Sequence, residues 1–279
     1  MILSTDSTAN LPQGYYEELD IKMIPLQIIL NDDVYNDLSE ELVPSEFYDK
    51  MKKGATPKTA QINREVGREY FEELLSSGED VLHISLSSAL SGNTDTMFKI
   101  AEDLNKTHSN KLVIIDSLNA AMGEGLLVLE ADKMRKQGMG IDEIAEKLNK
   151  IKFDICSFFT VDQLKYLMRG GRISKVTALI GSLLSIKPVL KVDETGHLVA
   201  HKKVISRKKS LQELARICLE NMASGSDVFI CHAESMADAK VVADLVEKEI
   251  NKKPIICDLT QVIGCHTGPD LISIFFRKK

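Results

Sequence analysis

Short apolar runs alternate with longer amphipathic segments through the first half of the chain. ILST at 2–5, MIPLQIIL at 23–30, VLHISL at 81–86 and LVIID at 112–116 are rich in leucine and β-branched residues and read as strands. Apolar residues at helical spacing predict helices over 43–53, with Pro44 in the first turn, and over 64–77, with Asn63 as N-cap and Gly78 as stop. Two more are expected over 94–104 and over 125–137, the latter ending at Gly138. Strand and helix in alternation predict a parallel sheet covered by helices.

The second half mixes two signals. An amphipathic helix over 141–151 leads to a strand at 155–161, a short helix at 163–168 before Gly170-Gly171, and a helix over 175–184 capped by Ser174. Residues 186–204 read as a hairpin turning at Glu194-Thr195-Gly196. Helices over 211–222 and 237–250 and strands at 227–233, 254–259 and 271–276 complete the chain. The expected fold is α/β in two domains, residues 1–152 with a three-layer α/β/α arrangement on a parallel sheet and residues 153–279 with a mixed sheet. No internal repeat or low-complexity tract interrupts this order.

At 279 residues and 44% apolar content the chain can fill two ordinary cores. A formal charge of −6 argues against a nucleic-acid partner, which needs a basic face. The short basic run from Lys202-Lys203 to Arg207-Lys208-Lys209 reads as a solvated surface. The N-terminus lacks a signal-peptide pattern and no window reaches the length needed to span a bilayer, so a cytoplasmic protein is expected. Cys156, Cys218, Cys231, Cys257 and Cys265 are odd in number and set in apolar patterns, which suits reduced thiols. Cys231-His232 and Cys265-His266 lack metal-ligand spacing, so no metal is expected. A monomer is the default expectation.

Four polar clusters fall near strand ends: Ser4-Thr5-Asp6-Ser7-Thr8, residues 56–61, residues 87–93 and Asp116-Ser117. In an open parallel sheet ligands bind at the carboxyl ends of strands. The richest cluster is Ser87-Ser88-Ala89-Leu90-Ser91-Gly92-Asn93, where hydroxyls and free amides at a helix start suit a carboxylate or phosphate. Their ordinary role is to cap helices and close turns. Dinucleotide and P-loop signatures are absent, and Ser91 lacks the G-x-S-x-G elbow. A triad using His83, His232 or His266 stays open, as does an enzyme acting on a small acylated or phosphorylated substrate through Ser91 and His266. The turn Arg169-Gly170-Gly171-Arg172 carries two guanidinium groups suited to an anion or acidic partner, and His266 sits in a glycine-bracketed stretch read as a loop.

Taken in order, STDSTANLP, TPKTAQ, SSALSGN, IIDS, GGRIS, IKPVL, RKKS and HTGPD resemble the DegV family of bacterial fatty-acid-binding proteins across nearly the whole chain. The resemblance implies a two-domain carrier, with no cofactor and no catalysis, that holds one long-chain fatty acid of the palmitate, stearate or oleate class between its domains. The carboxylate would meet Thr59, Ser91, Gly92, Asn93 and His266. The acyl chain would run into the C-terminal domain, with Phe158, Phe159, Leu164, Leu167, Ile180, Leu183, Leu184, Ile186, Phe229 and Ile274 as candidate lining. Members that serve the fatty acid kinase present the acid to a separate ATP-using subunit, and Arg169 and Arg172 are the candidate partner surface. The chain departs from the family pattern at Ala60-Gln61-Ile62-Asn63, at residues 93–97, and at Ile205-Ser206, where members often carry arginine and threonine. Burial of about fourteen methylenes at roughly 0.8 kcal/mol each would outweigh each head-group hydrogen bond, at about 1.5–3 kcal/mol. Association costs reduce the net affinity.

Overall fold

The computed structural model describes residues 1–172 and 186–279. The helix expected over 175–184 and the lining candidates Ile180, Leu183 and Leu184 lie outside the described residues.

The first unit is built on a parallel sheet. Strands β1 (Ile2–Asp6), β2 (Ile21–Ile24), β6 (Val81–Ser85) and β7 (Leu112–Asp116) stand in the order β2-β1-β6-β7, all parallel. Every residue of β6 is buried, as continuous apolar strands require when helices cover both faces. Helices α3 (Arg64–Leu75) and α4 (Asn93–Leu104) pack together on one face, and α5 (Met122–Lys136) and α6 (Ile141–Ile151) on the other. Asn63 caps α3 by accepting the Glu65 N–H at 2.8 Å.

Residues 23–30 do not form the single strand that their apolar content predicts. Pro25 has no N–H to give a ladder, and the chain leaves the parallel sheet there. Strand β3 (Gln27–Leu30) instead joins β4 (Asp33–Asn36) and β5 (Lys58–Ala60) in a small antiparallel sheet, order β4-β3-β5. That sheet brings Thr59 into the molecule.

The second unit carries the mixed sheet. Its strands are β8 (Ile155–Thr160), β9 (Val189–Val192), β10 (Leu198–Lys202), β11 (Phe229–His232), β12 (Ile255–Asp258) and β13 (Ile272–Arg277), in the order β10-β9-β8-β13-β11-β12. Only β11 and β12 pair in parallel. Helices α8 (Arg207–Asn221) and α9 (Met236–Ile250) cover one face. Helix α8 starts four residues before the expected position because Ser206 caps it, accepting the Lys209 N–H at 3.3 Å.

Helix α5 covers the opposite face of this sheet too, touching β8 and β13 as well as β1 and β6. It is therefore the middle layer of the molecule, and one apolar core runs from Leu3 and Ile84 through Leu127 to Phe159 and Phe275. The expected division at 152/153 falls at the turn Lys152–Asp154, but the core continues across it. Close approach of α5 to β8 depends on Gly123, where a Cβ would stand 2.4 Å from both Asn119 Oδ1 and Ser157 Oγ.

One short helix, α10 (Gln261–Thr267), was missed in the sequence because Gly264 and Gly268 read as loop. Gly264 is helical since Tyr48 lies directly against it, leaving no room for a side chain. The first unit anchors the start of α10. Asn10 accepts the Thr260 N–H and donates to the Asp258 carbonyl, both at 2.8 Å. Asp37 accepts the Val262 N–H at 3.2 Å. The Asp37 carboxyl is buried without a cation, and burial pushes its pKa up to about 7.

Two stability predictions follow from this packing. Gly123→Ala should cost about 1–3 kcal/mol through overpacking, read as a lowered Tm, while Gly140→Ala, with open space around it, should leave Tm nearly unchanged. For Asp37, the unfolded carboxyl ionises near 3.8 and the folded one near 7. The unfolded chain alone sheds its proton between these values, so Asp37 makes the fold lose stability as pH rises from 4 to 7, by on the order of 4 kcal/mol. Asp37→Asn should gain on the wild type over that window in denaturant titrations, and a constant difference from pH 4 to 8 would show that Asp37 does not titrate there.

Candidate functional site, an apolar cavity with a polar mouth

The loop between β6 and α4 is held from four directions. Ser87 accepts the Ala89 N–H at 3.2 Å and donates its hydroxyl to the Gly196 carbonyl at 3.0 Å, pinning the β9–β10 hairpin to the loop. Ser88 donates its N–H and its hydroxyl to Asp116, at 3.2 and 2.6 Å. Asn93 accepts the Ile62 N–H at 3.2 Å and donates to Asp6 at 3.3 Å. Asp6 also accepts from the Ser85 hydroxyl and the Leu86 N–H, at 3.1 and 3.2 Å. Three of the four polar clusters singled out in the sequence, around Asp6, residues 87–93 and Asp116, are thus tied together at the ends of parallel strands, while residues 56–61 lie on the antiparallel sheet, where Thr59 bonds to His266.

Behind that network lies a pair of buried acids. Glu124 of α5 stands 2.7 Å from the Thr8 hydroxyl and 3.0 Å from that of Thr5, and Thr8 in turn bonds to Asp6. Burial raises both carboxyls, Glu124 well above the usual range, with the Asp6 charge adding to it. The Thr8 hydroxyl donates toward both Glu124 and Asp6, and the Thr5 hydroxyl donates to Glu124.

In front of the network, a cavity opens between the two units. Its wall includes Leu26, Leu86, Leu90, Ala120 and Ala121 from the first unit and Phe159, Leu167, Val192, Leu198, Val262 and Phe275 from the second. Thr59, Ser91, Arg172 and His266 meet where the cavity reaches the surface. Thr59, Arg172 and His266 also line an outer cleft with Lys58, Tyr166 and Arg169. Ser91 and Arg172 line another with Ser88, Gly92 and His197.

Hydrogen bonding decides what each group can offer. The Thr59 hydroxyl lies 2.8 Å from His266 Nε2, while Nδ1 is buried against Gly170 without a partner. A proton on Nδ1 would be a buried orphan donor, so the proton belongs on Nε2 and is donated to Thr59 Oγ1. The Thr59 O–H is then free to point into the cavity. Ser91 accepts the Asn93 N–H at 3.2 Å and keeps its own hydrogen. The other wall hydroxyls are committed: Ser157 donates to Asn119 Oδ1 at 2.6 Å, Ser273 to the Cys231 carbonyl and Thr267 to the Ile263 carbonyl, each at 3.2 Å.

Charge at the mouth comes from one side chain. Burial and the neighbouring Arg172 guanidinium push His266 down to about 4, so the imidazole is neutral at pH 7. Arg172 is half-buried, anchored by its Nε donating to the Leu90 carbonyl at 3.1 Å and by a bond to the Gly170 carbonyl. Among the described residues it is the one charged side chain lining the cavity. A guanidinium beside two free hydroxyl donors has the chemistry to take an anionic oxygen group.

The sequence-derived positions divide accordingly. Thr59, Ser91 and His266 come together at the mouth, Gly92 borders the outer cleft, and the Asn93 amide is taken by Ser91. Arg169 is exposed at the end of α7 (Lys165–Arg169), but Arg172, also assigned to a partner surface, lines the cavity itself. Phe159 and Leu167 face the cavity. Phe158 and Ile274 point the other way, into the layer under α8 and α9, where Phe158 stacks on Phe276 with centroids 6.3 Å apart. Phe229 and Leu164 are buried in the main core and Ile186 is buried, without lining the cavity. The period of two along β8 and β13 carries this division, since Phe159 and Phe275 share one face and Phe158 and Ile274 the other.

Among the described residues no hydrogen bond joins Ser91 to His266, and no carboxylate orients the ring. His83 is fully buried, bonded to Ser4 at 3.0 Å, and His232 is buried at the end of β11; neither lines the cavity. Among the described residues no group of His, Cys, Asp and Glu is arranged to hold a metal, and no helix is long and apolar enough to cross a membrane.

Known proteins share this architecture. The family described as "Uncharacterised protein, DegV family" matches residues 2–279. A DegV domain-containing protein of Clostridium perfringens is 38% identical over 280 residues, spanning 99% of this chain and 96% of its own. The structure described as fatty acid binding of a DegV family protein from Thermus thermophilus superposes with a TM-score of 0.90 at 26% identity, covering 100% of this chain and 99% of that one. The fatty acid binding DegV family protein of Streptococcus agalactiae gives 0.89 at 28% identity, covering 100% and 98%. With sequence agreement from the second residue to the last, and with both sheets superposed on those of its relatives, the chain belongs to the DegV family.

Proposed function

We propose that the protein binds one long-chain fatty acid, carboxylate at the mouth and acyl chain in the cavity, and acts as a carrier. The observation that carries this reading is the distribution of spare hydrogen-bond donors. Of the five hydroxyl side chains on the described wall, only Thr59 and Ser91 have hydrogens to give, and both stand with Arg172 at the mouth of a mainly apolar space. Two relatives described as fatty acid binding support it.

The geometry supports holding over transforming. A nucleophilic serine needs a base within hydrogen-bond reach, and His266 turns Nε2 to Thr59 while its other nitrogen, Nδ1, is buried against Gly170. The carrier's recipient would be a separate kinase subunit that forms an acyl phosphate, as the family resemblance implies. Lys58 and Arg169 in the outer cleft are placed to meet the phosphate it transfers. The five free cysteines favour the reducing cytoplasm.

Native mass spectrometry of the protein purified without added lipid should show one adduct that organic extraction releases as free fatty acid. Thr59→Ala combined with Ser91→Ala should weaken fatty-acid binding at least tenfold, since each bond to a carboxylate contributes roughly 1.5–3 kcal/mol, and Arg172→Gln should weaken it comparably. Equal affinity in all three proteins would remove the head-group site. Affinity should also fall about fourfold for each methylene removed from a chain that fills the cavity, following roughly 0.8 kcal/mol per buried methylene.

A further inference from the structure

The cavity floor formed by β8 and β13 is not uniformly apolar. Ser157 stands opposite Phe275 and Ser273 opposite Phe159, and all four residues line the cavity. The serines are diagonal neighbours on one face, roughly 7–8 Å apart by sheet geometry, and each is only 3% exposed. Both have committed their hydrogens, Ser157 to Asn119 Oδ1 and Ser273 to the Cys231 carbonyl. Among the described residues no N–H or O–H donates to either oxygen, and only the Cys231 thiol, a weak donor, neighbours Ser273.

Two acceptor oxygens therefore remain on the floor, away from the mouth. A plain alkyl chain lying over them leaves both without a donor in a water-poor space, which costs free energy relative to an apolar floor. A chain that carries its own hydroxyl meets them, because an O–H in mid-chain supplies the donor that the protein withholds. The mouth is built differently, with unspent donors for an acceptor head group. Donors at the mouth and acceptors along the floor together describe a ligand with a carboxylate at one end and a hydroxyl part-way along.

Resting on the fatty-acid reading above, we propose that the cavity accepts long-chain fatty acids bearing a mid-chain hydroxyl, with Ser157 and Ser273 as its acceptors. Selectivity of this kind is asymmetric. A site with buried polar groups disfavours the analogue that leaves them unpaired, whereas a purely apolar pocket disfavours the hydroxylated one.

The test is competition binding with stearate and with 2-, 9-, 10- and 12-hydroxystearate on the full chain. At least one mid-chain isomer should bind within threefold of stearate or more tightly. Separate Ser157→Ala and Ser273→Ala variants should lower the ratio of that isomer's affinity to stearate's at least tenfold. Mid-chain isomers that all bind ten or more times more weakly than stearate would overturn the proposal, as would a ratio that neither variant moves. If Ser157→Ala fails to fold for want of its bond to Asn119, the wild-type contrast and Ser273→Ala decide alone. Absence of binding by stearate and by every hydroxystearate would overturn the carrier reading and this proposal together, a result distinct from the loss of the hydroxylated ligands alone.

Discussion

Helix α5 lies between two sheets and has to satisfy both. Its buried carboxyl, Glu124, reaches the hydroxyls of Thr5 and Thr8 at the end of β1 and through Thr8 the carboxyl of Asp6. Burial raises both carboxyls, and the hydroxyls of Thr5 and Thr8 donate to them, which offsets part of the cost of placing two acids at such depth. Asp6 then fixes Ser85, Leu86 and Asn93, so the loop that carries Ser91 is positioned by a network anchored in the central helix. On its other side Gly123 lets the helix close on β8. Ala120 and Ala121, just before the helix, are small, and the space they leave belongs to the cavity.

Division of labour between the units explains why the site sits between them. The first contributes Thr59, Ser91 and part of the apolar wall; the second contributes the sheet floor and α10. Yet α10 is tied to the first unit through Asn10 and Asp37. His266 is consequently located by residues that touch no ligand, and its neutrality leaves Arg172 as the charge at the mouth. The arrangement pre-orders the polar groups at the mouth before anything enters the cavity.

Departures from the family pattern are absorbed locally. Where many members have serine, glutamine and proline after the threonine, this chain has Ala60-Gln61-Ile62-Asn63. Ile62 is buried and gives its N–H to Asn93, while Asn63 caps α3. The replaced residues thus support the first unit and leave Thr59 free to serve the mouth. Ile205, at the position where arginine is common, is 70% exposed next to Lys202, Lys203 and Lys208, so the change alters an outer surface and not the cavity.

Local patterns in the sequence determined the elements and the class of fold. Continuous apolar runs, helix caps such as Asn63, and the hairpin turn at Glu194-Thr195-Gly196 depend on near neighbours, and the hydroxyl clusters at strand ends marked where an anion belongs. What they left open depended on distant residues. Pro25 parts β2 from β3, but only pairing with β5 brings Thr59 to His266. Gly264 is helical because Tyr48 presses on it, Arg172 turns inward because Leu90 accepts its Nε–H, and Phe159 faces a cavity while Phe158 faces a helix layer because the two sides of one sheet meet different neighbours. Periodicity tells which residues share a face; only tertiary packing decides what that face meets.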